Sequence, residues 1–312
     1  MKAGLTTIAL LWTGVGCGFI SGLVKKTPTE PAPSPSALAE AEVSYVPPEP
    51  EPLGPIEIKP VGAPPPEPAK QPSIKVLAPK WNDAIPVDAA AAYQVKLDIT
   101  DWAVSKRGVH VHISVDNEPY YTVYDSNASF KLSNLFPERK VPEGEHVLMA
   151  FPCRETHISV KPSKGHSPLV VVPFWIGMRS KQPKFRSYEP ILVYSQPKGD
   201  YVDDRADSVF VDFYLSHAEL SDKKYSLLLT VEPPNGSAQT ETVTKWVPYV
   251  ISNLPPGQTK IKVELQKAGQ AVPGMWNTQE RTIQVIRPRK KKKPQAPPPK
   301  PTESAAAAEP KG

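Results

Sequence analysis

Cysteine is almost absent from this 312-residue chain, which contains only Cys17 and Cys153. Cys17 lies in an apolar N-terminal stretch, and if it carries a lipid then Cys153 has no partner within the chain. A lone thiol in an exported protein is usually buried and inert rather than reactive. We therefore expect no intramolecular disulfide.

Familiar catalytic and nucleotide-binding motifs are also missing. The sequence has no Walker A loop, no Gly-rich dinucleotide turn, no Gly-x-Ser-x-Gly elbow and no His-Glu-x-x-His. Its 6 histidines are scattered, with no suggestive pairing around a Ser or Cys. We expect a protein that is not an enzyme and that has no cofactor.

Positive charge is scarce before the C-terminal tail. The formal net charge is +5, but the last 26 residues hold eight basic and two acidic residues, so the chain before them sums to −1. A nucleic-acid-binding domain with a basic face is therefore not expected. Six of those basic residues cluster at the start of the tail: Arg287, Arg289, Lys290, Lys291, Lys292 and Lys293. They indicate either a solvated tail or contact with an anionic envelope polymer, phosphorylated lipid head groups or an acidic protein.

Proline is abundant and unevenly distributed. Of the 40 prolines, 16 lie between Thr27 and Lys80 and 7 between Arg287 and Gly312. Neither segment has enough Leu, Ile, Val and Phe to offset its ordering entropy. We predict a disordered, extended Pro-rich linker at 27–80 and a disordered Lys/Pro-rich tail at 287–312.

The first 26 residues fit two kinds of membrane segment. Ala3 to Val24 carries no charge and is followed by Lys25 and Lys26. One interpretation is a signal peptide cleaved before Cys17, as in bacterial lipoproteins, although Gly14 stands where a Leu is usual. The other is an uncleaved helix that crosses a ~30 Å hydrocarbon core. Five glycines in the stretch favour cleavage and lipidation of Cys17. Either interpretation predicts a protein that is membrane-anchored in the cell envelope and faces the periplasm or cell exterior.

Beyond Lys80 the dominant sequence period is two. Val111, Ile113 and Val115 share one face of a segment whose other face carries His110 and His112. Such alternation is typical of half-buried strands, and Pro/Gly turns separate several such segments. No sustained helical period follows, so we predict an all-β fold of antiparallel sandwich type.

The chain also repeats itself. The segments Phe130–Phe151 and Tyr249–Leu265 each contain Ser-Asn-Leu, a Pro/Gly turn and an alternating strand. Two copies about 115 residues apart indicate two tandem β-sandwich domains. We place them at 81–180 and 186–286, joined near "GMRSKQPKFRSYEP".

The segment "EPILVYSQPKGDYVDDRADSVFVDFYLSHAEL" and its downstream strands resemble uncharacterised bacterial envelope proteins. That family has paired immunoglobulin-like domains and a Tyr-Ser-x-Pro-Lys-Gly-x-Tyr signature. The similarity spans about Tyr93 to Val285. It implies the tandem immunoglobulin-like fold and supplies no activity.

His110 and His112 are the best metal candidates, because side chains two apart on a strand point the same way. His146, Cys153 or His157 would complete a site if their strands are neighbours, and such ligands suit Cu or Zn. The alternative is a polar stripe that faces solvent.

Two further clusters have both a functional and a structural interpretation. Four aspartates that precede a strand have carboxylates suited to calcium: Asp200, Asp203, Asp204 and Asp207. Arg205 lies among them as a counter-charge, and a solvated acidic turn explains the cluster equally. Several aromatics near turns fit either a binding platform or core packing: Tyr120, Tyr121, Tyr124, Trp246 and Tyr249.

Together these features predict a non-enzymatic, membrane-tethered envelope protein that presents two β-sandwiches for structural or interaction roles. The alternatives are an envelope metal-binding protein that uses the His110/His112 face, and an accessory module that binds carbohydrate or cell wall.

Overall fold

The computed structural model describes residues 53–62, 66–137, 139–162 and 167–287. The predictions for the N-terminal membrane segment, for Cys17 and for the tail beyond Arg287 lie outside these residues. Within the described ranges, no helix has the length and hydropathy needed to span a bilayer.

Strands are the dominant secondary structure of the described chain, as the alternation predicts. Its only helices within the described ranges are short 3-10 segments at Ala90–Ala92, Leu132–Leu135 and Asp203–Ala206. The strands are β1 (Glu57–Pro60), β2 (Ser73–Ala78), β3 (Ala84–Ile85), β4 (Gln94–Thr100), β5 (His110–Val115), β6 (Tyr121–Val123), β7 (Ser129–Lys131), β8 (Gly144–Cys153), β9 (Val170–Ile176), β10 (Ile191–Gln196), β11 (Tyr201–Val202), β12 (Val209–Ser216), β13 (Tyr225–Glu232), β14 (Gln239–Val243), β15 (Tyr249–Ser252), β16 (Gly257–Lys267), β17 (Gln270–Ala271) and β18 (Thr278–Ile286).

The first sandwich pairs a three-stranded sheet with a five-stranded sheet. The strand orders are β2-β4-β7 and β3-β9-β8-β5-β6. All neighbours are antiparallel except β3, which runs parallel to β9. Side chains such as Leu97, Ile113 and Leu132 fill the space between the two sheets.

The second sandwich repeats this topology. Its larger sheet has the order β11-β18-β16-β13-β14, with β17 on β16, and its smaller sheet contains β10-β12-β15. The short β11 runs parallel to the last strand, β18, as β3 does to β9. Corresponding strands thus occupy corresponding places, which confirms two tandem sandwiches of one design.

The shared Ser-Asn-Leu segment has the same role in both copies. Its leucine, Leu135 or Leu254, is buried in the core of its own sandwich. The next strand then begins at a glycine in the left-handed region, Gly144 with φ +122° and Gly257 with φ +124°. Glycine adopts this conformation without steric cost, which explains the Gly in both copies of the turn.

The expectation that 27–80 is a disordered linker is wrong for two segments of it. β1 adds to the edge of the second sandwich by pairing with β15, and β2 pairs with β4 in the first sandwich. Ile58 packs against the second core and Ile74 is buried in the first. Each segment is Pro-rich at its ends but supplies apolar side chains to an existing sheet, which offsets its ordering entropy.

The two sandwiches are joined face to face. The outer face of β8, with Met149 and Phe151, packs against the outer face of β10 and β12, with Val193 and Tyr214. We call this packed region the joint. Strands β5, β8, β10 and β12 are consequently buried on both faces, so the prediction of a half-buried β5 is wrong.

Candidate functional site

Three histidines converge at the edge of the joint. His110 and His112 project from β5 toward the second sandwich, and His157 lies in the turn after β8. Their ring nitrogens form a nearly equilateral triangle. His110 Nε2 lies 3.1 Å from His112 Nε2 and 3.0 Å from His157 Nδ1, and the last two are 3.2 Å apart. Among the described residues this is the only group of three or more potential metal-ligating side chains whose donor atoms converge.

The remaining ring nitrogens are held by the protein on two of the three rings. His110 Nδ1 donates to the carbonyl of Gly108 at 2.9 Å. His112 Nδ1 lies 3.3 Å from the Ser195 hydroxyl, which comes from the second sandwich. Because a carbonyl only accepts, the neutral His110 ring carries its proton on Nδ1 and directs the Nε2 lone pair into the triangle.

The signature segment lies directly against this trio. Beside Ser195, Lys198 donates to the carbonyl of Tyr120 at 2.6 Å, and its ammonium lies 4.4 Å from the centre of the Tyr120 ring. That ring stacks on His112 with 3.5 Å between centroids. The Tyr-Ser-x-Pro-Lys-Gly-x-Tyr pattern, from Tyr194 to Tyr201, is thus the stretch of the second sandwich that closes the site.

The trio is kept neutral by its surroundings. Burial lowers the pKa of His110, and burial together with the other two histidines, Lys198 and Arg281 holds the pKa of His112 well below its usual value. Burial, and then His110 and Lys198, also lower the pKa of His157. Uncharged imidazoles, unlike imidazolium cations, can offer a ring-nitrogen lone pair to a transition-metal ion.

Of the three residues predicted to complete the metal site, His157 lies beside His110 and His112, and His146 and Cys153 do not. His146 is bound elsewhere, with its Nδ1 2.6 Å from Asp116 Oδ2 and its Nε2 2.9 Å from the Pro142 carbonyl. Cys153 lies in the apolar joint, where burial raises the pKa of its thiol well above the usual value. The alternative, a polar stripe that faces solvent, is wrong because His110 and His112 are buried.

The four aspartates of the calcium hypothesis do not converge into a ligand cluster. Asp203 and Asp204 begin the 3-10 helix Asp203–Ala206, and Asp207 forms an ion pair with Arg287. The described residues therefore give no calcium site of the expected kind.

Arg287, the first residue assigned to the anionic-surface contact, is attached to the second sandwich. Its guanidinium donates to the carbonyls of Leu254 at 3.1 Å and Ala206 at 2.7 Å, besides its pairing with Asp207. The other members of that set, Arg289 and Lys290 to Lys293, lie outside the described residues.

The aromatic side chains near turns divide between core and surface. Tyr120 and Tyr249 are buried, whereas Tyr124 is 37% exposed. Tyr124 lies with Trp102 and Tyr121 along an open groove of about 580 Å³ on the first sandwich. The groove is a second place where a ligand could contact aromatic rings.

The sheets and their joint define a pair of tandem immunoglobulin-like β-sandwiches. The chain is similar to the fibronectin(III)-like modules of CbhA from Clostridium thermocellum, with 11% identity over 70% of this chain and 96% of that one, at a TM-score of 0.24. It is also similar to the FN1–FN3 domains of chicken CNTN1, with 13% identity over 70% and 68% of the two chains and a TM-score of 0.22. A two-domain fibronectin type III segment of chicken tenascin gives 10% identity, 68% and 98% coverage, and a TM-score of 0.20.

No family model and no curated protein matches the sequence.

Proposed function

We propose that the chain is a non-enzymatic envelope protein, tethered to the membrane by a lipid on Cys17, that presents its two sandwiches as one rigid binding unit. The observation that carries this proposal is the joint. Tandem sandwiches linked only by a flexible segment move independently, whereas here apolar side chains, an ion pair and buried hydrogen bonds fix one sandwich on the other. A fixed pair offers a partner one continuous surface.

Two surfaces are available for such a partner. One is the aromatic groove of the first sandwich, and the other is the basic tail that follows the second. Aromatic rings along a groove suit the apolar faces of sugars or the side chains of a peptide. The tail suits an anionic envelope polymer or an acidic protein.

The tether is tested by metabolic labelling with a fatty-acid analogue. We expect label on the wild-type chain and none on Cys17→Ser. Equal label on both proteins contradicts lipidation of Cys17, and an unlabelled wild-type chain in the membrane fraction indicates an uncleaved helix instead.

The binding role is tested by retention on isolated cell wall. A chain that ends at Arg287 is the right truncation, because Arg287 is part of the second sandwich while the rest of the basic cluster follows it. Tyr124→Ala probes the groove, and Tyr188→Ala, an exposed tyrosine outside the groove, is its control. Loss of retention in the truncated chain assigns the contact to the tail, and loss in Tyr124→Ala alone assigns it to the groove as a carbohydrate-binding module. Equal retention of all four proteins overturns both contacts.

A further inference from the structure

We propose that His110 Nε2, His112 Nε2 and His157 Nδ1 bind one copper ion, preferentially as Cu(I). This site is additional to the partner-binding role and does not depend on the tether or the tail.

The first argument is the spacing of the three nitrogens. Metal–imidazole bonds of about 2.0–2.1 Å in a tetrahedral site place ligand nitrogens about 3.3–3.4 Å apart. The observed separations are 3.0, 3.1 and 3.2 Å. An ion at bonding distance from all three nitrogens would lie about 1 Å out of their plane, so only small ring rotations are needed.

The second argument is that two of the rings are held in orientation by contacts at their other nitrogen. Metal-binding histidines nearly always donate their other N–H to a carbonyl, a carboxylate or a water molecule, which fixes the ring and its tautomer. His110 has the Gly108 carbonyl and His112 has the Ser195 hydroxyl in these positions. His157 is only partly buried, so solvent reaches this ring.

Without an ion, the three nitrogens of the triangle cannot all form hydrogen bonds with one another. The Gly108 contact leaves a lone pair on His110 Nε2, and hydrogen bonding needs a proton on His112 Nε2 or His157 Nδ1. A proton on only one of these two nitrogens leaves nitrogen lone pairs facing each other across another pair, and a proton on both leaves two N–H groups facing each other. A cation at the centre removes that repulsion.

The charge around the trio selects the ion. The converging ligands include no carboxylate and no thiolate. The Lys198 ammonium lies over the Tyr120 ring that stacks on His112. Arg281 donates at 2.6 Å to the carbonyl of Ser195, the residue whose hydroxyl contacts His112. Neutral ligands beside two fixed cations disfavour a divalent ion more than a monovalent one, and imidazole accepts copper readily.

The experiment is metal competition on the full chain, purified in mild detergent and stripped with EDTA. Cu(I) is supplied in ascorbate as its bicinchoninate complex, and Zn²⁺ as its complex with a chromophoric azo dye. We expect one Cu(I) per chain and an affinity for Zn²⁺ at least about 100-fold weaker, consistent with the charge argument.

Matched variants locate the ion. His157→Asn removes one ligand. His217→Asn makes the same change at an exposed histidine outside the trio, which also lies in the left-handed region, with φ 55° against 62° for His157. Asn tolerates this conformation, so both proteins should fold. We expect His157→Asn to weaken Cu(I) binding by about 100-fold or more, Ser195→Ala to weaken it by about 10-fold, and His217→Asn to leave it unchanged.

Two results overturn the proposal: Cu(I) binding that is equal in wild type and His157→Asn, and tighter binding of Zn²⁺ than of Cu(I). Histidine ring NMR signals of the wild-type chain give an answer that does not depend on any variant. Addition of one equivalent of Cu(I) should shift three ring signals and spare that of His217, and a shift confined to His217 or other rings contradicts the site.

Discussion

Asn117 of the first sandwich completes the backbone hydrogen bonding of Tyr194 in the second. Its side-chain Oδ1 accepts from the Tyr194 N–H at 2.8 Å, and its Nδ2 donates to the Leu192 carbonyl at 2.7 Å. The amide thus takes the place of a neighbouring strand residue beside β10. Asn117 has φ 63°, a conformation that Asn tolerates better than most residues.

Asn117→Ala should lower the free energy of unfolding by about 2–4 kcal/mol, because it leaves a buried N–H and a buried carbonyl without partners. Urea denaturation measures the change. Asn117→Gly separates this loss from backbone strain, since glycine accepts the positive φ. A glycine variant as stable as wild type shows that the amide contributes nothing.

The ion pair between Lys161 of the first sandwich and Asp212 of the second also stabilises the joint. Asp212 Oδ1 lies 2.7 Å from Lys161 Nζ and its Oδ2 accepts from the Ser159 N–H at 2.9 Å, while the carboxylate is fully buried. Asp212→Asn should therefore destabilise the chain by about 3 kcal/mol. Glu57→Gln, in the exposed Lys59–Glu57 pair, is the control and should change stability by less than about 0.5 kcal/mol. Equal midpoints for the two variants contradict a structural role for the buried pair.

Arg281 donates hydrogen bonds to backbone carbonyls of both sandwiches. Its guanidinium donates to Tyr194 at 2.5 Å and Pro197 at 2.9 Å in the second sandwich, and to Asn117 at 3.3 Å in the first. Arg281→Lys retains the charge but loses the planar fork, so we expect a loss of about 2–4 kcal/mol in thermal or urea unfolding. The same change at the exposed Arg179 should be neutral. If both substitutions leave the free energy of unfolding unchanged, the planar guanidinium of Arg281 does not contribute to stability.

The two repeat glycines differ in one respect that an alanine pair can test. Both have φ near +120°, but a Cβ on Gly257 would lie 2.9 Å from Pro234 Cγ, whereas one on Gly144 would meet nothing within 4 Å. Gly144→Ala should cost about 1–3 kcal/mol from backbone strain alone. Gly257→Ala should cost roughly 1 kcal/mol more from overpacking. The reverse order of stabilities contradicts the steric argument.

The thiol of Cys153 should be inert in the native protein. Burial, followed by the nearby Asp212, raises the pKa of this thiol well above its usual value, so the thiolate fraction at pH 8 is very small. In a Cys17→Ser background we expect alkylation to be roughly 100-fold slower or more in buffer than in urea. Cys17→Ser/Cys153→Ser shows the background rate. Alkylation of native Cys153 at the unfolded rate contradicts its burial.

Alternation and repetition were enough to predict the sandwiches, but not the joint. The pattern of β5 assigns Val111 and Ile113 to the core and says nothing about what covers the opposite face. The covering strands, β10 and β12, lie more than 70 residues further along the chain. Their signal was present as the runs "ILVY" and "VFVDFYL", which are apolar on both faces and typical of strands buried on both sides.

The metal-ligand candidates were predictable in the same partial way. Strand geometry alone placed His110 and His112 on one face. His157 was one of three possible additions, because no sequence period constrains a turn residue. Only the folded turn after β8 distinguishes it from His146 and Cys153. β2 was missed because Pro72 and Pro79 flank it and mask the short run "SIKVLA".

The position of β1 has a mechanical consequence. β1 pairs with β15, and Val61 N–H donates to the Pro248 carbonyl at 2.8 Å. Along the chain, the contact with the second sandwich therefore comes before the first strand of the first sandwich. The described chain also ends on the second sandwich, at Arg287. A pulling force between the N-terminal segment and a partner held by the second sandwich is therefore delivered to the β1–β15 ladder. The first sandwich with its histidines stays outside that load path until the ladder ruptures.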